Sequence, residues 1–271
     1  MEKVWLITGT SSGFGRQLVE QLLPTGDRIV ATARRLETIA DYAEKGMDRV
    51  LLAELDVTDA AQAKRVAEEA VKVFGRIDVV VNNAGYDLTG AFEGMTDQQI
   101  RDQFETNVFG VINVIRATLP IFKTQGAGHY INFSSVLGKV SFPLQSIYSA
   151  TKYAIEGLSD SLSQELAGFG IKTTVVEPAV YKTEINRKSP RVAGLPEYKS
   201  IYEAVSKQFA SFPHGDPALA VKAILELTAM ENPPLHFPLG APAYATIRAD
   251  LQARLDELGS VEKLSAFPVV S

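Results

Sequence analysis

Tyr148 and Lys152 stand four residues apart in a segment typical of the first turns of a helix. At this spacing a phenol and an ammonium lie one above the other on one helix face. A nearby cation favours the phenolate and brings the tyrosine pKa down from about 10 towards the range useful for general acid–base catalysis. Ser135 follows an apolar run upstream, where its hydroxyl could hydrogen-bond a substrate carbonyl. Singly, these residues also fit a surface pair and a helix cap; their joint placement favours chemistry.

A glycine-rich turn follows the first apolar run and opens the first predicted helix. It consists of Gly9, Thr10, Ser11, Ser12, Gly13, Phe14 and Gly15. Glycines in such a turn let the backbone approach a pyrophosphate, whose charge lies at the helix amino terminus. The spacing is GxxxGxG rather than the commoner GxGxxG, and a turn without a ligand is the alternative.

The same turn also reads as GxSxG, which predicts a second candidate function. In a serine hydrolase Ser11 would be the nucleophile, and His214 or His236 would be the base. Only one strand precedes the turn, whereas that motif normally follows an earlier loop that supplies an oxyanion-hole N–H. The position therefore argues against a hydrolase.

The elements that position these residues follow from the apolar pattern. Strands are predicted at Val4–Thr8, Arg28–Thr32, Val50–Leu55, Ile77–Val81, His129–Phe133, Lys172–Val176 and, more weakly, Leu235–Phe237. Helices are predicted at Gly15–Leu23, Leu36–Lys45, Asp59–Phe74, Asp97–Phe122 and Ser146–Phe169. The runs are apolar at successive positions, which is typical of parallel strands covered on both faces. We expect an α/β fold, a doubly wound Rossmann sheet of about seven parallel strands with helices on both faces.

A single domain over residues 1–271 is expected, with a substrate-binding lid at about 181–217. That stretch contains Pro190, Pro196 and Pro213 around a predicted helix at Glu197–Phe209. It is too long for an ordinary connection, which favours a functional lid.

Five motifs in a fixed order give the chain a family resemblance. They are the glycine turn, Asp56-Val57, Asn82-Asn83-Ala84-Gly85, Asn107, and Ser135 with Tyr148 and Lys152. From Val4 to about Thr183 the chain resembles the short-chain dehydrogenase/reductase family. The resemblance implies a catalytic set of Asn107, Ser135, Tyr148 and Lys152. It also implies that Asp56 and Val57 hold the adenine and that Asn83, Ala84 and Gly85 belong to the cofactor site.

The resemblance further implies hydride transfer between the nicotinamide C4 and a ketone or secondary alcohol. Tyr148 would donate the proton in reduction, and Lys152 would lower its pKa and bind the nicotinamide ribose. Ser135 would orient the carbonyl, and Asn107 would support a water relay to Lys152. A non-catalytic dinucleotide-binding sensor on the same fold is the alternative. An intact catalytic set argues against it.

The loop after the sixth strand departs from the family pattern. Pro178 is present, but Ala179 replaces a usual glycine and Tyr181 replaces a smaller apolar residue before Thr183. The resemblance implies that Pro178, Tyr181 and Thr183 contact the cofactor. Alanine is acceptable there if its φ is negative.

Cofactor choice is predicted at the end of the second strand. An acidic residue there would bind both adenosine ribose hydroxyls and repel a 2′-phosphate. The chain has Arg34 and Arg35 instead, and Arg34 can pair with a phosphate. NADP is therefore predicted over NAD, with two solvated arginines as the alternative.

Apolar side chains near the motifs favour a hydrophobic ketone as substrate. The candidate walls are Tyr86, Phe92, Met95, Val136, Phe142, Leu144 and Tyr181. Core packing explains several of them equally well.

Composition excludes several function classes. The chain has 271 residues, 46% hydrophobic and 22% charged, with net charge −5 and no cysteine. Disorder, disulfides and Cys-ligated zinc are excluded, and no histidine spacing suggests a metal site. The acidic balance argues against nucleic acid or an anionic membrane surface as partner. With no signal-peptide or membrane-span pattern, a cytoplasmic location is expected.

Two long helical stretches, Asp97–Phe122 and Ser146–Phe169, carry more apolar residues than one sheet-facing stripe requires. The family resemblance implies that they meet their copies across a two-fold axis in a homodimer or homotetramer. The alternative is a wide core-facing stripe on a monomer.

Overall fold

The computed structural model describes residues 2–183 and 189–266. Its strands are β1 Val4–Ile7, β2 Arg28–Ala33, β3 Val50–Glu54, β4 Val79–Asn82, β5 Gly128–Phe133, β6 Ile171–Pro178 and β7 His236–Leu239. The strand pairings are parallel and give one sheet in the order β3-β2-β1-β4-β5-β6-β7. The predicted doubly wound sheet of seven strands is confirmed.

The chain changes winding direction beside β1, which lies between β2 and β4. Val4–Ile7 pairs with Arg28–Ala31 on one side, and Trp5–Ile7 pairs with Val79–Val81 on the other. The loops after β1 and β4 therefore diverge and leave a crevice at the carboxyl edge. Ligands bind in such crevices of doubly wound sheets.

Helices cover both faces of the sheet. They are α1 Gly13–Leu22, α2 Asp41–Gly46, α3 Ala60–Phe74, α4 Asp97–Phe104, α5 Gly110–Gln125, α6 Ser146–Leu166, α7 Lys199–Ser211, α8 Pro217–Ala229, α9 Ala241–Ser260 and the single turn α10 Glu262–Ser265. Val4 and Leu6 pack with α3, α5 and α6 on one face, whereas Trp5 and Ile7 pack with α1 and α8 on the other. Both faces of β1 are buried, which explains its uninterrupted apolar sequence.

Several helices differ from the sequence prediction. The stretch predicted as Asp97–Phe122 is divided by a π-helical turn at Glu105–Phe109, between α4 and α5. The predicted Leu36–Lys45 shortens to α2 after a separate 3₁₀ turn at Leu36–Thr38. The sequence analysis missed α8 and α9. The first is apolar almost all round, and the second spreads its apolar residues around the axis, so neither has the expected stripe.

Helix α7 lies within the predicted lid, and none of its residues is buried. Residues 184–188 of that lid fall outside the described part of the chain. The lid contacts the rest of the protein at Arg191, which forms a parallel bridge with Thr89. Within residues 2–183 and 189–266, no helix combines the length and apolarity needed to cross a bilayer.

Candidate active site

The predicted site residues meet at one edge of the sheet. Thr8, Arg34, Asp56, Asn83 and Ser134 each follow the end of a strand or its last paired residue. Because parallel strands end at the same edge, the sheet brings together loops that are far apart in the chain. The site is built mainly from these loops and from the first turns of α1 and α6.

The glycine turn is held in a shape that side chains would obstruct. Gly9 and Gly13 have positive φ angles of 70° and 58°. A Cβ on Gly9 would lie 2.9 Å from Ala84 Cα, and one on Gly15 would lie 2.4 Å from the Gly9 carbonyl oxygen. Ser12 caps α1 without a side-chain hydrogen bond, so its side chain leaves the first N–H groups of the helix available. This cradle fits a pyrophosphate.

Three polar side chains fasten the turn to its neighbours. The Asn83 amide donates to the carbonyls of Thr8, at 2.9 Å, and Gly9, at 3.0 Å. Thr10 is fully buried and donates both its N–H and its hydroxyl to the Thr32 carbonyl, at 3.0 and 3.1 Å. The Tyr42 hydroxyl donates to the Thr10 carbonyl at 2.9 Å. These bonds hold the turn against β2, against α2 and against the loop that follows β4.

The predicted adenosine end of the site lies beside β2 and β3. Arg34 is exposed after β2, and within the described part of the chain it forms no salt bridge. Asp56 accepts the N–H and hydroxyl of Thr58, at 3.0 and 2.8 Å. The Val57 side chain is buried, 2.5 Å from the Cβ position of Gly110. Its side chain therefore faces the core, and only its backbone can contact a ligand.

Asn107 lies in the π-helical turn, a distortion that is frequent at functional sites. Its amide accepts the Tyr86 N–H at 3.0 Å and donates to the Tyr86 carbonyl at 2.8 Å and the Thr151 hydroxyl at 3.2 Å. A Cβ on Gly85 would lie 3.0 Å from Asn107 Oδ1 and 4.0 Å from Lys152 Nζ. Gly85 therefore leaves space between these two residues. The Asn107 side chain fastens the Tyr86 loop, which the sequence analysis did not predict.

Tyr148 and Ser135 lie together below the surface, at 9% and 8% relative exposure. Burial is the main reason that the Tyr148 pKa is raised; the Asp87 charge adds to this, and the Ser135 hydroxyl opposes it. Ser135 Oγ also accepts the Leu137 N–H at 3.1 Å. The tyrosine is therefore a neutral phenol in this state. That Lys152 lowers the Tyr148 pKa in the working enzyme stays a prediction, because in this state burial raises the pKa.

Lys152 is buried on the same face of α6. Its ammonium lies 5.5 Å from the centre of the Tyr148 ring and donates to the Phe133 carbonyl at 2.8 Å. Burial lowers the Lys152 pKa to about 8, although the charges of Glu156 and Asp87 oppose the shift. Phe133 ends β5, so this bond positions the ammonium at the carboxyl edge of the sheet.

The loop after β6 returns to the glycine turn. Thr183 Cβ lies 3.6 Å from the position that a Gly13 Cβ would occupy. Ala179 is not among the residues with positive φ, so alanine replaces the usual glycine without strain. Tyr181 is buried, its ring meets Phe14 edge-on at 5.0 Å, and its hydroxyl donates to the Leu239 carbonyl at 3.0 Å. The Tyr181 side chain therefore packs in the core, where it also lines a cavity of about 330 Å³, and its prediction as a substrate wall stays a prediction.

A cleft of about 250 Å³ opens at the start of α6, where Ser146 lines it. Three of the predicted walls, Phe92, Phe142 and Leu144, line it together with Tyr198 and Ile201 from the lid. Met95 instead packs in a small core cluster with Leu88, Ile147 and Val192. The cleft is mainly apolar and is closed on one side by the lid.

The hydrolase alternative finds no support in the contacts. Among the described residues, no histidine forms a hydrogen bond with Ser11. His236, which is partly exposed, lies instead in an ionic cluster with Lys139 and the buried Glu156 and Glu177. Its Nδ1 is 3.2 Å from a carboxylate oxygen of each glutamate, and the Lys139 ammonium is 2.8 Å from Glu156.

Sequence reasoning missed this ionic cluster. Ligand atoms of Glu156, Glu177 and His236 lie within 4.8 Å of one another, but the Lys139 ammonium supplies cationic charge there. One signal was available, because Glu156 is four residues after Lys152 and therefore lies on the same side of α6. The sequence predicted the last strand only weakly, at Leu235–Phe237, and did not indicate that His236 would meet Glu177.

A second omission is Asp87, directly after the Asn83–Tyr86 loop. Its carboxylate is 9% exposed and accepts the Thr89 hydroxyl at 2.9 Å and the Gln145 amide at 3.3 Å. Burial raises the Asp87 pKa, and the bonds from Thr89 and Gln145 and the Lys152 charge oppose the rise. The Asp87 charge thus affects the pKa of both Tyr148 and Lys152, and the Lys152 charge affects the pKa of Asp87.

With this geometry in place, comparison with known proteins identifies the family. The model of the short chain dehydrogenase family matches residues 3–192. The chain belongs to this family of oxidoreductases. It is 36% identical over 264 residues to oxidoreductase BOA17 of Botryotinia fuckeliana, covering 95% of this chain and 96% of that protein. It is also 32% identical to 3-ketodihydrosphingosine reductase of Bacteroides thetaiotaomicron, covering 88% of each.

Solved structures of similar proteins point to the same family. A short-chain dehydrogenase from Streptomyces avermitilis superposes with TM-score 0.92 at 40% identity, covering 97% of each chain. A Burkholderia cenocepacia short chain dehydrogenase in complex with NADP has TM-score 0.77 at 27% identity, covering 98% of each. One from Burkholderia phymatum in complex with NAD has TM-score 0.79 at 25% identity, covering 100% of this chain and 97% of that one. Both dinucleotides thus occur among similar structures.

Proposed function

We propose that this oxidoreductase is an NADP-dependent ketone reductase or alcohol dehydrogenase that uses Tyr148 as general acid and base. The proposal is carried by one observation: a buried, neutral phenol lies beside a buried ammonium and a serine hydroxyl at the carboxyl edge of the sheet. A raised pKa keeps the phenol protonated, as a proton donor to a carbonyl oxygen must be.

The nicotinamide dinucleotide, when bound, supplies the hydride and accepts it in the reverse direction. The chain's own residues bind and orient the substrate carbonyl and donate a proton to it. Ser135 hydrogen-bonds the substrate carbonyl, and Tyr148 gives its proton to that oxygen as negative charge develops. The Lys152 ammonium stabilises the phenolate that remains, because the two groups are close in a buried, weakly screened environment. Asn107 holds the Tyr86 loop against the π turn, and this fixes the position of both relative to Lys152.

The choice of NADP rests on Arg34, which is exposed at the end of β2 where a 2′-phosphate would lie. No acidic residue occupies that strand end. The NADP-bound relative from Burkholderia cenocepacia is consistent with this choice.

The substrate class proposed is a hydrophobic ketone. Support comes from the apolar cleft lined by Phe92, Phe142 and Leu144, and from the relative named 3-ketodihydrosphingosine reductase. The enzyme would act on a carbonyl that reaches Tyr148 while its apolar substituent occupies the cleft.

The test is to follow the reduced-nicotinamide absorbance with NADPH or NADH and a panel of aliphatic and aromatic ketones. Ketone-dependent oxidation of NADPH supports the proposal. Tight NADPH binding without turnover of any ketone or alcohol would favour the sensor, and nitrophenyl-ester hydrolysis without nucleotide would favour the hydrolase. Either result overturns the proposal.

A further inference from the structure

The second half of α9 projects from the rest of the described chain. Every residue from 251 to 266 is exposed. Three of them, Leu251, Leu255 and Leu258, form a leucine row in which the residues are 53%, 61% and 63% exposed. Their spacings of four and three residues place them on one side of the helix. A helical segment of about 12–15 residues is marginal in water unless an apolar face is packed, so the row calls for a covering surface.

The contacts of α9 with the rest of the chain hold the leucine row in a fixed direction. Ile247 is buried and packs in the same apolar cluster as Tyr148. Farther along the helix, the Arg254 guanidinium donates to the Lys139 carbonyl at 2.9 Å. Arg254 lies about 100° around the helix axis from Leu255. The anchored side of α9 and the leucine row are therefore separate sides of one fixed helix, and the row is open to a partner.

Charged residues flank the row symmetrically about Leu255. Arg248 precedes Leu255 by seven residues, and Glu262, in the turn α10, follows it by seven. Leu251 is four residues before Leu255, and Leu258 is three residues after it. Arg248 and Glu262 are exposed, and neither forms a salt bridge within the part of the chain that the structure describes. The row therefore has a positive end and a negative end.

A second copy of α9 matches this row along its whole length. A two-fold axis at Leu255 sets each Leu255 against the partner's Leu255 and each Leu251 beside the partner's Leu258. The same axis brings each Arg248 near the partner's Glu262. Such self-complementarity is what a two-fold interface requires. The helix dipoles also favour the antiparallel alignment, whereas a parallel one would bring like charges together.

A lipid surface matches the row less well. Helices that lie on membranes carry lysine and arginine along their polar side. The charged residues that follow the centre of the row are mainly acidic, with Asp256, Glu257 and Glu262 against Lys263. The net charge of the chain is also negative, at −5. The charges therefore favour a second copy over a membrane.

We infer that α9 forms an antiparallel helix pair with α9 of a second copy of this chain, packed through the leucine row and joined at each end by Arg248 and Glu262. This interface is separate from the one expected at α5 and α6, because it uses a different helix. The α9 pair alone gives a dimer. Two different two-fold interfaces together give a tetramer with dihedral symmetry.

Leu255→Glu tests the apolar part of the interface. It places two like charges at the two-fold axis, and far-UV circular dichroism should show an intact fold because Leu255 is exposed in the single chain. Sedimentation equilibrium at micromolar concentration should give half the wild-type mass, whether wild type is a dimer or a tetramer. Val73→Glu, at a 51% exposed residue of α3, is the matched control and should keep the wild-type mass. An unchanged mass for Leu255→Glu overturns the inference, even if α5 and α6 hold a dimer.

Arg248→Glu and Glu262→Arg test whether the occupant is an antiparallel copy. Each substitution replaces attraction by repulsion at two places in the symmetric pair, so each should raise the dissociation constant roughly tenfold. The double variant exchanges the two charges and should return the constant close to the wild-type value. A parallel pair or an unrelated partner predicts no such rescue. A double variant as weak as the single variants overturns the inference.

Other occupants of the row would give different results. A monomeric wild type that sediments with vesicles of phosphatidylcholine and phosphatidylserine would assign the row to a lipid surface. A monomer that binds anilinonaphthalene sulfonate only after deletion of residues 267–271 would assign the row to that segment. Either result overturns the inference. Neither affects the proposed reductase, which is tested separately by ketone turnover.

Discussion

The Thr8 hydroxyl accepts the backbone N–H of Asn83 at 3.0 Å, and the Asn83 side chain returns a bond to the Thr8 carbonyl at 2.9 Å. The same hydroxyl also accepts the Ala84 N–H at 3.0 Å and donates to the Val81 carbonyl at 3.2 Å. One buried threonine thus joins the ends of β1 and β4 at the crevice between them. The shape of the cofactor turn depends on this reciprocal contact.

Thr8→Val should therefore weaken both folding and dinucleotide binding. It keeps the shape of the side chain but leaves two backbone N–H groups without an acceptor, at about 1–3 kcal/mol for each that stays buried. Urea unfolding measures the loss. Thr173→Val is the matched control, since the buried Thr173 hydroxyl has no partner in the described structure, and its stability should hold or rise. Equal losses in the two variants would contradict the prediction.

Tyr148→Phe should remove turnover and spare the fold. The ring is kept and only the hydroxyl is lost, so ketone reduction should fall by about 10²–10⁴, the range typical of a general acid–base step. Stopped-flow single turnover with NADPH measures this. Tyr153→Phe, on the same helix, removes a hydroxyl that donates to the Lys139 carbonyl and should keep the wild-type rate. A Tyr148→Phe enzyme with near-normal reduction would refute the assigned role.

Arg34→Ala should change the choice of cofactor. A guanidinium pairing with the 2′-phosphate contributes about 1.5–3 kcal/mol, so NADPH affinity should fall roughly ten- to hundredfold, with NADH little affected. Fluorescence titration of both cofactors measures the change. Arg35→Ala is the control, because Arg35 is exposed and lies 3.8 Å from Glu37. A wild type that prefers NADH would rule out the NADP assignment.

The His236 cluster should make stability depend on pH. Hydrogen bonds to Glu156 and Glu177 raise the His236 pKa from 6.5 to about 9. The folded protein then binds a proton that the unfolded chain releases, so this stabilisation is complete below pH 6.5 and disappears as pH rises through about 9. The stability difference between wild type and His236→Gln, from urea unfolding at each pH, should decline across that window. His214→Gln, at an exposed site, provides the control; a constant difference for His236→Gln would refute the linkage.

We propose that α5 and α6 form the interface of a homodimer or homotetramer. Of the apolar α6 residues, Ile155 and Leu166 lie in the core and Leu158 and Leu162 only partly so. Phe169 beyond α6 and Phe109 before α5 are 43% and 47% exposed. Joint Ala154→Glu and Ser161→Glu substitutions should split the assembly by like-charge repulsion. Light scattering measures the mass, and 29.4 kDa for the unmodified protein at micromolar concentration would end the proposal.

Local sequence patterns predicted much of the fold and part of the site. Uninterrupted apolar runs such as Val4–Ile7 are required by burial on both faces of a sheet, and they alternate with amphipathic helices. The glycine turn could be read because Gly9 and Gly13 need positive φ angles. The Tyr148–Lys152 spacing could be read because helix geometry alone makes the two side chains neighbours.

Tertiary structure decided what depends on residues far apart in the chain. The π turn at Asn107 is accompanied by bonds to Tyr86, 21 residues away, which no helical periodicity encodes. The raised pKa of Tyr148 comes from burial and from Asp87, whereas its sequence context pointed only to the lysine. Asp87 meets Gln145 across 58 residues. Such contacts arise only when the strand ends assemble, because the sheet rather than the local chain sets which loops become neighbours.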